Sequence, residues 1–143
     1  MNEDRSHTYN SDAEIESLVA RFESFQLHPD ELNHQAHVAI TAWYYLKLPE
    51  PEAIERIYDG LQRFIRHYDI KVYSETITLF WMKRIRSFIA GSDVNRPAFE
   101  VVNDAVKALG NSQMIFDYYT REQLESEDAR IEWAEPDLKR LDF

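Results

Sequence analysis

The sequence has no cysteine, only three glycines and five prolines, and no apolar run of the length that spans a bilayer. Without cysteine there can be no disulfide, thiolate zinc site, iron–sulfur cluster or cysteine nucleophile, so any bound metal must rest on His, Asp or Glu. So little glycine and proline argues against the turn-rich sandwiches and barrels of all-β proteins. A membrane-spanning helix needs about 20 consecutive apolar residues. The polar start from Met1 to His7 also lacks the basic-then-apolar pattern of a secretory leader. The expectation is a cytoplasmic protein without membrane association. Also missing are GxSxG, a P-loop, GxGxxG, HExxH and the paired ExxH of di-iron bundles.

What is present is one domain's worth of chain, 143 residues that are 44% hydrophobic and 13% aromatic, too apolar for disorder. Acidic residues outnumber basic ones 26 to 16, a net charge of -10 that speaks against a nucleic-acid partner. The charge is uneven, because residues 54–90 carry seven bases against four acids. Arg63, Arg66, Lys83, Arg84 and Arg86 of this basic centre either pair with the acidic ends or shape an anion pocket.

Periodicity predicts an all-α bundle of about five main helices, with residues 1–10 as a flexible tail and 11–143 as one domain. Ser11 and Glu14 form a capping-box pattern ahead of a helix over about 12–25, with Ile15, Leu18, Val19 and Phe22 on one face. From about Asn33 to Leu46 the chain is apolar nearly all round, the mark of a central buried helix. Pro49 and Pro51 separate it from an amphipathic helix over about 51–68. A fourth helix, carrying Ile77, Phe80, Trp81, Ile85, Phe88 and Ile89, ends at Gly91, and a fifth runs from Pro97 to Gly110. The last third shows only short helical starts and reads as a C-terminal wrap.

Chemistry concentrates in three places. His34 and His37 lie three apart at the start of the buried helix and share a face, which Thr41, Tyr44 and Tyr45 continue. Glu75 begins the fourth helix within Tyr73-Ser74-Glu75-Thr76-Ile77-Thr78, and His67 ends the third. Two histidines and a carboxylate are the minimum set for a divalent metal such as iron, zinc or manganese, with His67 as a further ligand. The alternative is structural: a helix-start histidine caps or hydrogen-bonds, and a first-turn carboxylate is favoured by the helix dipole without any chemistry.

Three segments carry a resemblance. They are Asn33-His34-x-x-His37-Val38 with Ala42-Trp43-x-Tyr45-Leu46, then Tyr73-x-Glu75-Thr76-Ile77-Thr78-x-x-Trp81, then Ala129-Arg130-x-x-Trp133-x-x-Pro136-Asp137-Leu138. Together, over about residues 13–141, they resemble a family of short, bacterial, all-helical proteins of unassigned function. The resemblance implies the all-α fold and weights His34, His37 and Glu75 as the shared polar positions. Many members read Tyr-His-Glu-Thr where this chain has Ser74, so no catalytic role carries over to position 74.

Two functions follow as expectations. One is a small-molecule enzyme in which His34, His37 and Glu75 bind a divalent metal or act as acid and base. In it Tyr44, Tyr45, Tyr73 and Thr78 line the pocket, and Arg63 or Arg66 holds an anionic group of the substrate. The other is a non-catalytic helical binding or homo-oligomeric module, with the histidines in a structural polar network and the many tyrosines and phenylalanines serving an interface with a second copy in a homodimer or with a basic partner.

Overall fold

A computed structural model describes residues 7–143. The main helices are α1 (Asp12–Glu23), α2 (His34–Lys47), α3 (Glu50–His67), α4 (Glu75–Ala90) and α5 (Ala98–Leu109). Two short helices follow, α6 (Arg121–Glu125) and α7 (Glu127–Ile131), and then an extended tail. No strand occurs among the described residues. Side-chain oxygens of Ser11, Asn33 and Ser74 cap α1, α2 and α4, while prolines 49 and 97 precede α3 and α5. The capping box at α1 is half formed: Ser11 accepts from the Glu14 N–H, but the Glu14 carboxylate accepts from Asn10.

Helix α2 is the hub and packs against α1, α3, α4 and α5. Its residues 38–44 are all buried, the pattern of a helix with neighbours on every side. Both α3 and α4 lie on α2, but they barely pack on each other.

The tail expected at residues 1–10 is shorter at its inner end. Tyr9 is only 8% exposed, its N–H donates to Asn103 of α5 at 2.9 Å, and its carbonyl accepts from the Asn103 amide at 2.8 Å. Residues 1–6 of that expected tail lie outside the described residues. An aromatic side chain in a polar stretch was enough to anchor the segment.

Helices α1 and α3 end alike, each on a left-handed residue where glycine is usual. Phe25 (φ 63°) and Asp69 (φ 51°) take that position, and the next N–H returns to the Arg21 and Ile65 carbonyls respectively. Phe25 is held there by side-chain contacts. Its ring stacks on His67 at 4.2 Å, Arg63 lies over it at 5.9 Å, and the Tyr68 hydroxyl donates to the Phe25 and Leu27 carbonyls. Left-handed backbone at a bulky residue persists only when such surroundings hold it.

The C-terminal wrap is clasped through Thr76, which is fully buried. Its hydroxyl donates to the Glu132 carbonyl and accepts from the Ala134 N–H, both at 3.0 Å. The Tyr119 hydroxyl donates to the Ala134 carbonyl, and Asp137 accepts from the Thr120 N–H and hydroxyl. Thus the threonine of the Tyr73–Trp81 motif and the tail motif around Trp133 meet in space.

Gly60 of α3 lies tight against α1, since a Cβ there would sit 2.9 Å from the buried Phe22 ring. Gly60→Ala is expected to lower stability, because overpacking costs about 1–3 kcal/mol against a helix-propensity gain of about 1. Gly91→Ala, whose Cβ meets nothing closer than 3.8 Å, serves as control. Urea unfolding midpoints check both, with a clear drop expected only for Gly60→Ala.

Candidate functional site

His34 is the first residue of α2, set there by the Asn33 cap. Its Nε2–H donates to the Leu109 carbonyl at the end of α5 at 2.9 Å, and its ring meets Trp81 of α4 edge-on at 4.4 Å. That bond fixes the neutral tautomer protonated at Nε2. Burial lowers the His34 pKa, partly offset by the Leu109 bond. One turn on, the His37 backbone N–H donates to the Asn33 carbonyl at 3.0 Å, and its ring makes no hydrogen bond among the described residues. Burial, with His34 beside it, pulls its pKa down to about 4. Both rings are therefore neutral at pH 7.

Glu75 belongs to a different cluster. Its carboxylate accepts from the Tyr58 hydroxyl at 2.9 and 3.0 Å and from the Tyr73 hydroxyl at 2.7 Å, while the Gln62 amide donates to the Tyr73 oxygen at 2.9 Å. Burial and the Glu75 carboxylate raise the pKa of both phenols, so they remain donors. Thr78 lies close enough to Tyr73 to work against that rise. The grouping of Tyr73, Glu75 and Thr78 thus exists, completed by Tyr58 and Gln62, which periodicity alone places in the stripe and outer face of α3.

The proposed metal set does not assemble. His34 bonds to the end of α5 and packs on Trp81 of α4, Glu75 is taken by two tyrosines, and His67 is stacked on Phe25. Among the described residues no three His, Asp or Glu side chains converge to hold a metal ion. The spacing was right for a shared face, but the neighbouring helices deliver a carbonyl and an indole to it instead of a carboxylate.

The expected pocket-lining residues disperse as well. The Tyr44 hydroxyl donates to Glu23 of α1, and Arg56 of α3 binds the same carboxylate at 2.9 Å. Burial works against ionisation of Glu23, yet the Tyr44 and Arg56 bonds prevail and lower its pKa. Tyr45 turns the other way, donating to the Met82 carbonyl of α4 at 3.2 Å, and burial pushes it up to about 12. Arg66 is exposed and Arg63 lies over Phe25, so neither meets Glu75. The basic centre is only partly ion-paired: Arg86 reaches Glu50 at 3.4 Å, whereas Lys83 and Arg84 sit over the Trp133 and Phe143 rings.

Among the clefts in the surface of the described residues are two that neither His34, His37 nor Glu75 lines. The larger, about 710 Å³, runs between residues 7–14, the outer face of α1 and the start of α2, with Tyr9, Glu14, Arg21, Glu31 and Gln35 in its walls. The smaller, about 310 Å³, lies between the end of α1 and the middle of α3. No sequence signal marked the larger cleft except Tyr9. No family model, curated protein or solved structure matches the chain.

The lowered histidine pKa values make stability depend on pH. Above about 6.5 both rings are neutral folded and unfolded; between 6.5 and about 4 the unfolded chain takes up protons that folded His37 refuses. Stability is therefore lost as pH falls through that window, by at most about 3 kcal/mol for His37. Glu23, Asp137 and Asp142, whose pKa values are lowered, add their losses only at more acid pH. Unfolding midpoints between pH 7 and 4.5 should fall steadily in the wild type and much less in His37→Gln.

Proposed function

We propose that this protein is a non-catalytic helical binding module whose histidines and Glu75 act as polar struts between helices. The observation that carries the reading is that the groups expected to do chemistry spend their hydrogen bonds on their own chain, while the clefts lie elsewhere. A carboxylate already accepting from two phenols is poorly placed to bind a metal or take a proton from a substrate. A ligand fits the larger cleft better, since its volume falls in the usual range of small-molecule sites.

The homo-oligomeric form has less to rest on. All eight tyrosines and eight phenylalanines are buried or half-buried, so the aromatic side chains that suggested an interface are spent in the core and its margins.

The test separates struts from ligands. His34→Ala removes the bond to Leu109, and Glu75→Gln weakens the tie to Tyr58 and Tyr73; each should lower the unfolding free energy by about 1–2 kcal/mol. Added Zn²⁺, Mn²⁺ or Fe²⁺ should leave the melting temperature unchanged in wild type and variants. A rise with any of these ions that disappears in His34→Ala or Glu75→Gln overturns the reading.

A further inference from the structure

The larger cleft holds polar groups that the fold engages only weakly. The Tyr9 hydroxyl makes no hydrogen bond among the described residues, although its backbone is held by Asn103. Glu14 has no cation within ion-pair distance among the described residues, and accepts only from the Asn10 N–H at 3.3 Å. Arg21 approaches Glu31 no closer than 3.9 Å, and both side chains are half exposed. Glu14 and Arg21 act on the Tyr9 phenol in opposite senses, so a negative and a positive group both lie within its electrostatic reach. Below lie the buried Leu18, Leu27 and Ala36, an apolar floor.

Glu14 and Arg21 are seven residues apart on α1, a rise of about 10 Å along one helix face. An extended chain advances about 3.3–3.6 Å per residue, so three residues cover the same span. From this match of charge and length we infer that the cleft binds a short peptide with free termini, about three residues long. Its ammonium group sits at Glu14, its carboxylate at Arg21, and its backbone passes over Tyr9. Capture of chain termini by fixed charges is a general mode of peptide recognition, and the small apolar floor favours small side chains. The Gln35 side-chain carbonyl already accepts from the His7 N–H, leaving its amide group for the peptide backbone.

This inference rests on the binding-module reading and names its ligand. Calorimetric titration of the full chain with Ala-Ala-Ala tests it, alongside the N-acetylated, the C-amidated and the doubly capped tripeptide. The free tripeptide should bind, and each single cap should weaken binding about tenfold or more. Glu14→Gln should reproduce the loss caused by acetylation and add little to it; Arg21→Gln should do the same for amidation. Glutamine at 14 still accepts from Asn10, and unfolding midpoints confirm that both variants are folded. Absence of heat at millimolar peptide, or equal binding of the free and doubly capped forms, overturns the peptide assignment. Neither result touches the strut reading, which fails only on the metal response.

Discussion

Helix α2 packs against four other helices, and a polar side chain turned into those contacts is stabilised by a partner within the protein. The solutions differ along its length. His34 binds the carbonyl end of α5, Tyr44 binds Glu23 of α1, and Tyr45 binds a backbone carbonyl of α4. Each bond runs to a different neighbour, so the polar groups orient the surrounding helices about the hub. Apolar packing alone is tolerant of rotation and sliding, and directional bonds in a dry interior are not.

The same logic explains Glu75. Helices α3 and α4 each pack on α2 and scarcely on one another, leaving a seam that backbone proximity does not close. Long side chains bridge it at two points, Glu75 with Tyr58 near the connection and Arg86 with Glu50 at the far end. The Glu75 bridge is the more specific, since the two phenols fix the carboxylate from α3 and from the connector. Thr76, next in sequence, instead clasps the tail. Two successive residues at one helix start thus hold two different parts of the fold, which accounts structurally for the dense polar motif there.

Helix positions were readable because caps, prolines and glycines bracket clear apolar periods: Asn33 before α2, Ser74 before α4, Pro97 and Gly110 around α5. The face shared by His34 and His37 was readable for the same reason. What covers a face is a matter of tertiary arrangement, and a periodic pattern has no information about it. The carbonyl of Leu109 is a backbone group at a distance of 75 residues, invisible to any motif. Tyr58 carried no distinguishing mark because a tyrosine in an amphipathic stripe looks like any other core residue. Tyr9 was misplaced in the tail since three neighbours of low apolarity hide a single aromatic anchor.

The separation of struts from cleft has a physical consequence for binding. Tyr9 is held from behind by two bonds from Asn103, and the cleft floor of Leu18, Leu27 and Ala36 belongs to the packed core. The hydroxyl of Tyr9 is thus fixed before any ligand arrives, and ordering it costs little at the moment of association. The charged ends of the cleft, by contrast, are the exposed Glu14 and the half-exposed Arg21 on the outer face of α1. In the proposed peptide site those ends would supply charge discrimination and the buried floor shape, and because neither involves α4 or Glu75, binding there would leave the bonds around α2 intact.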